Sequence, residues 1–284
     1  MKIIIDCSYL CHRARYANTT IHGEDLREII VYNFMNTILS IGKRFRTNQF
    51  IFTWDSKKSK RKVIYPNYKN RQKPDMSEVE KIDLYATYNA MDYCRTTLIP
   101  LIGFNNSFNQ VGHEADDIIS VLVGTLNYLE EQHIIVATDQ DLYQLLTPHT
   151  SMYNPTTKEI YDSDSLFKEY NCTYSDYGKA KGITGCSTDT VEGIKGVGIK
   201  TALKYLNGAL KKTSVKYQAI VDNPDAIKLT RQLTVLPFKG TRIPEIVKDE
   251  LDYEEFKDLC ETLQWNNYLT KRADEVRDFF AGRF

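Results

Sequence analysis

The chain has 284 residues, of which 42% are hydrophobic and 26% charged, proportions ordinary for a globular fold and a length that allows one large domain with a smaller partner. Its 37 basic and 37 acidic side chains cancel, so overall charge alone argues against a strongly basic nucleic-acid binder. No apolar run approaches the roughly 20 residues that span a bilayer, and the six cysteines form no CxxC pair, which points to thiols in a reducing cytoplasm rather than to zinc or disulfides.

The opening MKIIID reads as a buried strand ending on Asp6, and because it starts at once no leader peptide is expected. Residues 24–46 carry Leu26, Ile29, Ile30, Phe34, Ile38 and Ile41 at helical spacing. A second strand, 49–55, ends on Asp55. Residues 56–74 are basic, aromatic and poor in aliphatic residues, which predicts a mobile excursion rather than another sheet element. Helical periodicity returns over 78–98 and 114–130. A third strand, 133–139, ends on Asp139 and leads into a short helix through Leu145, with small strands predicted at 151–153 and 159–162. Beyond Thr173 only helices and turns are expected. The pattern is that of an α/β fold, a mostly parallel central sheet flanked by helices over 1–172, followed by a helical domain over 173–284.

Ligands gather at the carboxyl ends of strands in such sheets, so Asp6, Asp55 and Asp139 are expected to converge. Glu114, Asp116 and Asp117 in the GHEADD segment, and Asp141, thicken the cluster. The acids of GHEADD have a plainer use, since they complement the positive end of a helix dipole, but Glu114 and Asp117 at i and i+3 share a face. Seven carboxylates at one edge repel one another unless divalent cations neutralise them, and hard oxygen ligands suit Mg²⁺, with Mn²⁺ as a substitute. The expected activity is metal-dependent and directed at phosphate esters.

Charge is also unevenly distributed. Lys57, Lys58, Lys60, Arg61, Lys62, Lys69 and Arg71 form one acid-free run, and Lys195, Lys200, Lys204, Lys211, Lys212 and Lys216 form another. Either could be a solvated face, yet both flank the acids in sequence, which favours DNA or RNA as partner. The segment GIKGVGIKTA, 193–202, lacks the order of a phosphate-binding P-loop and does not follow a strand. It fits a helix-hairpin-helix over 185–206, in which the amides of Gly196, Gly198 and Lys200 face a phosphate and grip a backbone without reading sequence.

In order along the chain, these motifs resemble those of the flap endonuclease/5′-nuclease family, which includes the 5′-nuclease domain of bacterial DNA polymerase I and phage 5′-exonucleases. IIDCSYLCHR resembles the opening strand with its metal-binding acid and following arginine, which places those roles on Asp6 and Arg13. Asp55 matches the next acid, and Arg61 with YPNYK, 65–69, resembles the arch segment, spanning 56–98 here. GHEADD and ATDQDLYQLL match almost letter for letter, so Glu114, Asp116, Asp117, Asp139 and Asp141 inherit metal-site roles. Residues 185–202 resemble the signature GDxSDNIPGVxGIGxKTA, with Asp189 on its last acid, and RQLTVLP, 231–237, resembles a segment beyond it. Two departures stand out: Cys186 replaces the signature's first acid, with Thr188 and Thr190 in place of its Ser and Asn, and only Asn70 separates Lys69 from Arg71 in the arch.

The resemblance implies a PIN-like nuclease core with a helical arch and a helix-hairpin-helix domain, acting as a 5′→3′ exonuclease and 5′-flap endonuclease on DNA or on RNA primers. It implies two Mg²⁺ ions, the first held by Asp6, Asp55, Glu114, Asp116, Asp117 and Asp139 and the second by Asp139, Asp141 and Asp189, with a K⁺ ion at the hairpin. Lys69 and Arg13 become the electrophilic partners of the scissile phosphate. Arg61, Tyr68, Arg71, Lys195, Gly196, Gly198, Lys200 and Thr201 become DNA contacts, with Tyr68 either stacked on a terminal base or packed in the arch. A monomer is expected. A branched-DNA binder with lost hydrolysis, a PIN-like ribonuclease, and a phosphatase using Asp139 and Asp141 as a DxD motif are the alternatives.

Overall fold

The computed structural model describes residues 1–71 and 75–284. Its contacts divide into two compact units, one comprising Met1–Trp54, Lys73–Phe108 and Glu245–Phe284, the other Asp55–Gln72 and Asn109–Pro244. This division differs from the expected boundary at residue 172, which falls inside the second unit. The chain carries a mostly parallel sheet flanked by helices, as its pattern predicts.

In the first unit, strand Lys2–Asp6 pairs in parallel with Phe50–Trp54, with Ile3 opposite Phe50 and Asp6 opposite Thr53. Ile3, Ile4 and Ile5 are wholly buried, because a parallel strand covered on both faces reads as a continuous apolar run. Helix Gly23–Phe45 crosses over between them and buries Leu26, Ile30, Phe34, Ile38 and Ile41, while Ile29 stays half-buried at the edge of its apolar stripe. Helix Glu78–Tyr93 begins with a capping box on Ser77 and runs into a π-helical turn, Cys94–Leu98. Phe50 packs against Phe104 and, from the C-terminal helix Ala273–Phe280, against Phe279. Gly42 lets that last helix approach, since a Cβ there would lie 2.4 Å from the Phe279 ring.

In the second unit, His133–Val136 pairs in parallel with Thr150–Asn154, which pairs antiparallel with Glu159–Tyr161. Helix Ala115–Tyr128 buries Ile118, Ile119, Leu122 and Leu126. A six-residue 3₁₀ turn, Gln140–Leu145, follows the strand. The region after Thr173 holds helices Tyr174–Thr184, Ile199–Leu206, Val215–Val221 and Pro224–Thr234. It also holds a strand pair that periodicity did not predict, Gly185–Cys186 with Val191–Glu192. Gly185 makes that reversal possible. Its φ is +70°, and a Cβ there would lie 2.3 Å from the Val191 carbonyl oxygen. All six cysteines are buried free thiols. Among the described residues no helix is long and apolar enough to cross a membrane.

Candidate metal centre

The predicted excursion at 56–74 is anchored rather than loose over its described part, 56–71; residues 72–74 lie outside the described residues. A short helix, Arg61–Ile64, turns the chain so that Arg61 and Tyr68 are buried at 2% and 1% exposure. Tyr68 packs with Val191 and Leu233, and Tyr65 and Leu229 cover that cluster. Neither Arg61 nor Tyr68 is therefore placed to touch DNA, which corrects both expectations; for Tyr68 the packing alternative is the one its geometry supports. The cause is a set of buried carboxylates that need donors.

Asp117 shows this need most clearly. Its Oδ1 accepts from Arg61 at 2.7 Å and from the Phe238 amide at 2.8 Å, and its Oδ2 accepts from Arg61 at 2.7 Å and from the Glu114 amide at 3.0 Å. Four donors occupy the roughly four lone-pair sites of a carboxylate. Asp117 thus has nothing left for a metal ion, and its expected role as a ligand is corrected to a structural one. Burial pushes its pKa up, but Arg61 outweighs this and holds it below the usual carboxylate value. Arg61 also donates to the Leu233 carbonyl at 2.9 Å and lies over the Phe238 ring.

Around this pair stand further acids. Glu114 immediately precedes helix Ala115–Tyr128, and Asp55 accepts from the Ala115 amide at 2.9 Å, so the helix N-terminus brings the two together. Asp116 is half-buried on the same helix. The Tyr68 hydroxyl lies 2.9 Å from both Glu114 Oε2 and Asp189 Oδ2. Lys69, in the left-handed region at φ +52°, donates to Glu114 at 2.9 Å, and its ammonium lies 3.8 Å from Asp189 Oδ1. Burial works against that ammonium, yet Glu114 and Asp189 outweigh it and raise the Lys69 pKa. Burial and the same two carboxylates raise the Tyr68 pKa far above that of a free phenol, so its hydroxyl remains a donor. Arg71 donates to the Thr188 carbonyl, which ties this segment to the turn carrying Asp189.

A second cluster adjoins through Asp189. Asp139 accepts from the Asp141 amide at 2.8 Å, and burial followed by the Asp141 charge raises its pKa. Ligand atoms of Asp141, Cys186 and Asp189 all lie within 4.8 Å of one another. Lys181, from helix Tyr174–Thr184, stands 2.5 Å from Asp141 Oδ1. Sequence reasoning missed this lysine because it lies outside both basic runs. Burial lowers its basicity, but Asp141 outweighs this and its pKa is raised. The Cys186 thiol lies 2.8 Å from Thr188 Oγ1, and burial pushes its pKa up to about 11.

The two clusters differ in what they could hold. Glu114 and Asp55, brought together at the start of helix Ala115–Tyr128, offer only oxygen, and the Lys69 ammonium resting on Glu114 marks a place for positive charge; donors of this kind suit a hard divalent cation. Asp141, Cys186 and Asp189 form a mixed set whose thiol suits Mg²⁺ poorly. Asp6 and Arg13 belong to the other compact unit. There Asp6 ends its strand and caps helix Cys7–Tyr16 by accepting from the Tyr9 amide at 3.0 Å, and Arg13 lies in the last turn of that helix.

Ile194 and Val197 are buried, whereas Lys195, Gly196, Gly198 and Lys200 are exposed and Thr201 is half-buried. Gly196 sits at φ +74° with open space beside it, and helix Ile199–Leu206 starts on Gly198.

A model of the 5′-3′ exonuclease N-terminal resolvase-like domain matches residues 1–171. The chain belongs to this family. It is 27% identical over 177 residues to a 5′-3′ exonuclease of Aquifex aeolicus, an alignment covering 62% of this chain and 58% of that relative. To a 5′-3′ exonuclease of Buchnera aphidicola subsp. Schizaphis graminum it is 23% identical over 286 positions, covering 94% of this chain and 96% of the other. Among solved structures, the bacteriophage T5 D15 flap endonuclease, in a pseudo-enzyme-product complex with DNA and metal ions, superposes with a TM-score of 0.69 at 19% identity over 99% of each chain. That likeness shows the 5′-nuclease fold.

Proposed function

We propose that the protein is a Mg²⁺-dependent 5′ nuclease that hydrolyses DNA phosphodiesters as a 5′→3′ exonuclease and a 5′-flap endonuclease. Removal of RNA primers in replication, a monomeric state and a cytoplasmic location belong to the same reading, as does a K⁺ ion on the hairpin. The observation that carries it is the junction of Lys69 and Tyr68 with Glu114 and Asp189. One short segment sets a phosphate-binding ammonium directly on the carboxylates that would hold a cation.

A divalent ion on the Glu114 side would supply charge to an attacking water and to the phosphate oxygens. The chain's own groups do the rest. The Lys69 ammonium, half-exposed on its carboxylates, is available to a scissile phosphate as an electrophilic partner. Tyr68 holds Glu114 and Asp189 in place without adding a charge. Lys195, Lys200 and the amides of Gly196 and Gly198 would grip duplex backbone away from the reacting bond. The family resemblance gives Asp6 a ligand role and Arg13 a phosphate role, and both are part of this proposal.

The test is incubation of a 5′-flap duplex, a single strand and RNA with Mg²⁺, with product mapping. Cleavage at the flap junction or stepwise loss of 5′ nucleotides is expected. Binding of the flap without any cleavage would favour the branched-DNA binder, a reading that Cys186 in place of an acid supports. Cleavage of RNA alone would favour the PIN-like ribonuclease.

A further inference from the structure

The Asp141 cluster already holds a cation of the protein's own. Lys181 Nζ stands 2.5 Å from Asp141 Oδ1, and only 12% of the lysine side chain and 16% of the aspartate side chain are exposed. Lys69, by contrast, leaves 46% of its side chain exposed beside Glu114 and can turn towards a substrate. Each acid of the cluster already gives one oxygen to a neighbour, Asp141 Oδ1 to Lys181 and Asp189 Oδ2 to the Tyr68 hydroxyl at 2.9 Å, and the third position is the thiol of Cys186. A divalent ion entering here would meet a like charge across a few ångströms of partly buried space and find a soft donor where a hard one is wanted. The loss of an acid at 186 and the presence of an ammonium at 181 act in the same direction, each removing negative charge from the cluster.

We propose that the Lys181 ammonium takes the place of a second divalent cation in this protein, which leaves a single divalent site on the Glu114 side. This rests on the nuclease reading above and departs from the two-ion arrangement the resemblance implies. An ammonium can neutralise Asp141 and steady it, but it offers no vacant coordination position. Lys181 is thus a positioning residue, acting through Asp141.

The experiment is an equilibrium Mn²⁺ titration of the full chain without nucleic acid, reading free Mn²⁺ by electron paramagnetic resonance. Wild type should bind one ion. Lys181→Met should bind two, the second at least ~10-fold tighter than any further binding in wild type, the modest end of what a neighbouring like charge costs in a partly buried site. Lys181→Gln serves as a second variant, and circular dichroism melting checks that each is folded. Two ions of comparable affinity in wild type would overturn the inference, as would a single ion in both folded variants. Flap cleavage is read separately, so a protein that cleaves flaps yet binds two ions loses only this inference, whereas one that cleaves nothing loses the nuclease reading.

Discussion

Arg61 holds Asp117 through two parallel hydrogen bonds of 2.7 Å, with 3% of the arginine side chain and none of the aspartate side chain exposed. Removing one partner of such a pair leaves the other charged and buried, which costs about 3–5 kcal/mol. Asp117→Asn should therefore lower unfolding free energy by about that amount in urea titrations at pH 7. An unchanged midpoint would mean that the pair contributes nothing and that Asp117 is held for another purpose.

The same pair gives stability a pH dependence. The folded pKa of Asp117 is depressed, so its contribution is complete above the unfolded value of about 3.9 and is lost as pH falls through the folded value. Wild type and Asp117→Asn should consequently differ most near neutrality and converge in acid below pH 4. A gap that widened on acidification would reverse the sign and refute the assignment.

Tyr68→Phe separates packing from stacking. Phenylalanine keeps the ring but removes the hydroxyl that joins Glu114 to Asp189, and a hydrogen bond to a charged group is worth roughly 1.5–3 kcal/mol. Single-turnover flap cleavage should fall by roughly ten- to a hundredfold, with flap affinity nearly unchanged. If the ring instead stacked on a base, the phenylalanine variant would cleave like wild type.

Lys69→Ala and Lys200→Ala should fail in different ways. Lys69 touches the carboxylate cluster, so its loss should slow the single-turnover rate with little effect on binding. Lys200 is exposed in the first turn of its helix, so its loss should weaken duplex binding and reduce the salt slope by about 1. Fluorescence anisotropy across a salt series reads the second effect, and an unaltered slope would remove Lys200 from the DNA surface.

Cys186→Asp restores an oxygen donor to the Asp141 cluster, where a thiol with a pKa of about 11 remains protonated at neutral pH. With the Lys181 ammonium still on Asp141, the ion on the Glu114 side should continue to set the Mg²⁺ dependence of single-turnover cleavage, so wild type and variant should superimpose. A shift of the variant to lower Mg²⁺ would show that the Asp141 cluster takes a divalent ion despite Lys181.

The strands, the crossover helix and the order of acids were legible in the sequence because continuous apolar runs and 3.6-residue periodicity are local signals. Ile3, Ile4, Ile5 and Phe34 needed nothing beyond them. What a carboxylate does once folded was not legible. Asp116 and Asp117 are adjacent in one motif, yet Asp117 is saturated by donors that include Arg61, 56 positions away, and the Phe238 amide, 121 positions away. The basic run misled in the same way, since Arg61 reads as a phosphate contact until its partner is seen. Lys181 carries no motif at all; the packing of helix Tyr174–Thr184 on the Gln140–Leu145 turn sets Asp141 beside it, and the turn at Gly185 brings Cys186 near.

The first compact unit is built from three separated stretches, and its Phe50 and Phe104 find Phe279 only in the last of them. A ribosome making this chain therefore completes every stretch of the second unit before it has made the residues that close the first. The opening strands must wait with part of their aromatic core uncovered until the final helix emerges, and that interval is when a nascent chain is most exposed to aggregation and to chaperones. Closure of the core over strands Lys2–Asp6 and Phe50–Trp54 thus comes after the second unit has been made, although both strands are made before it.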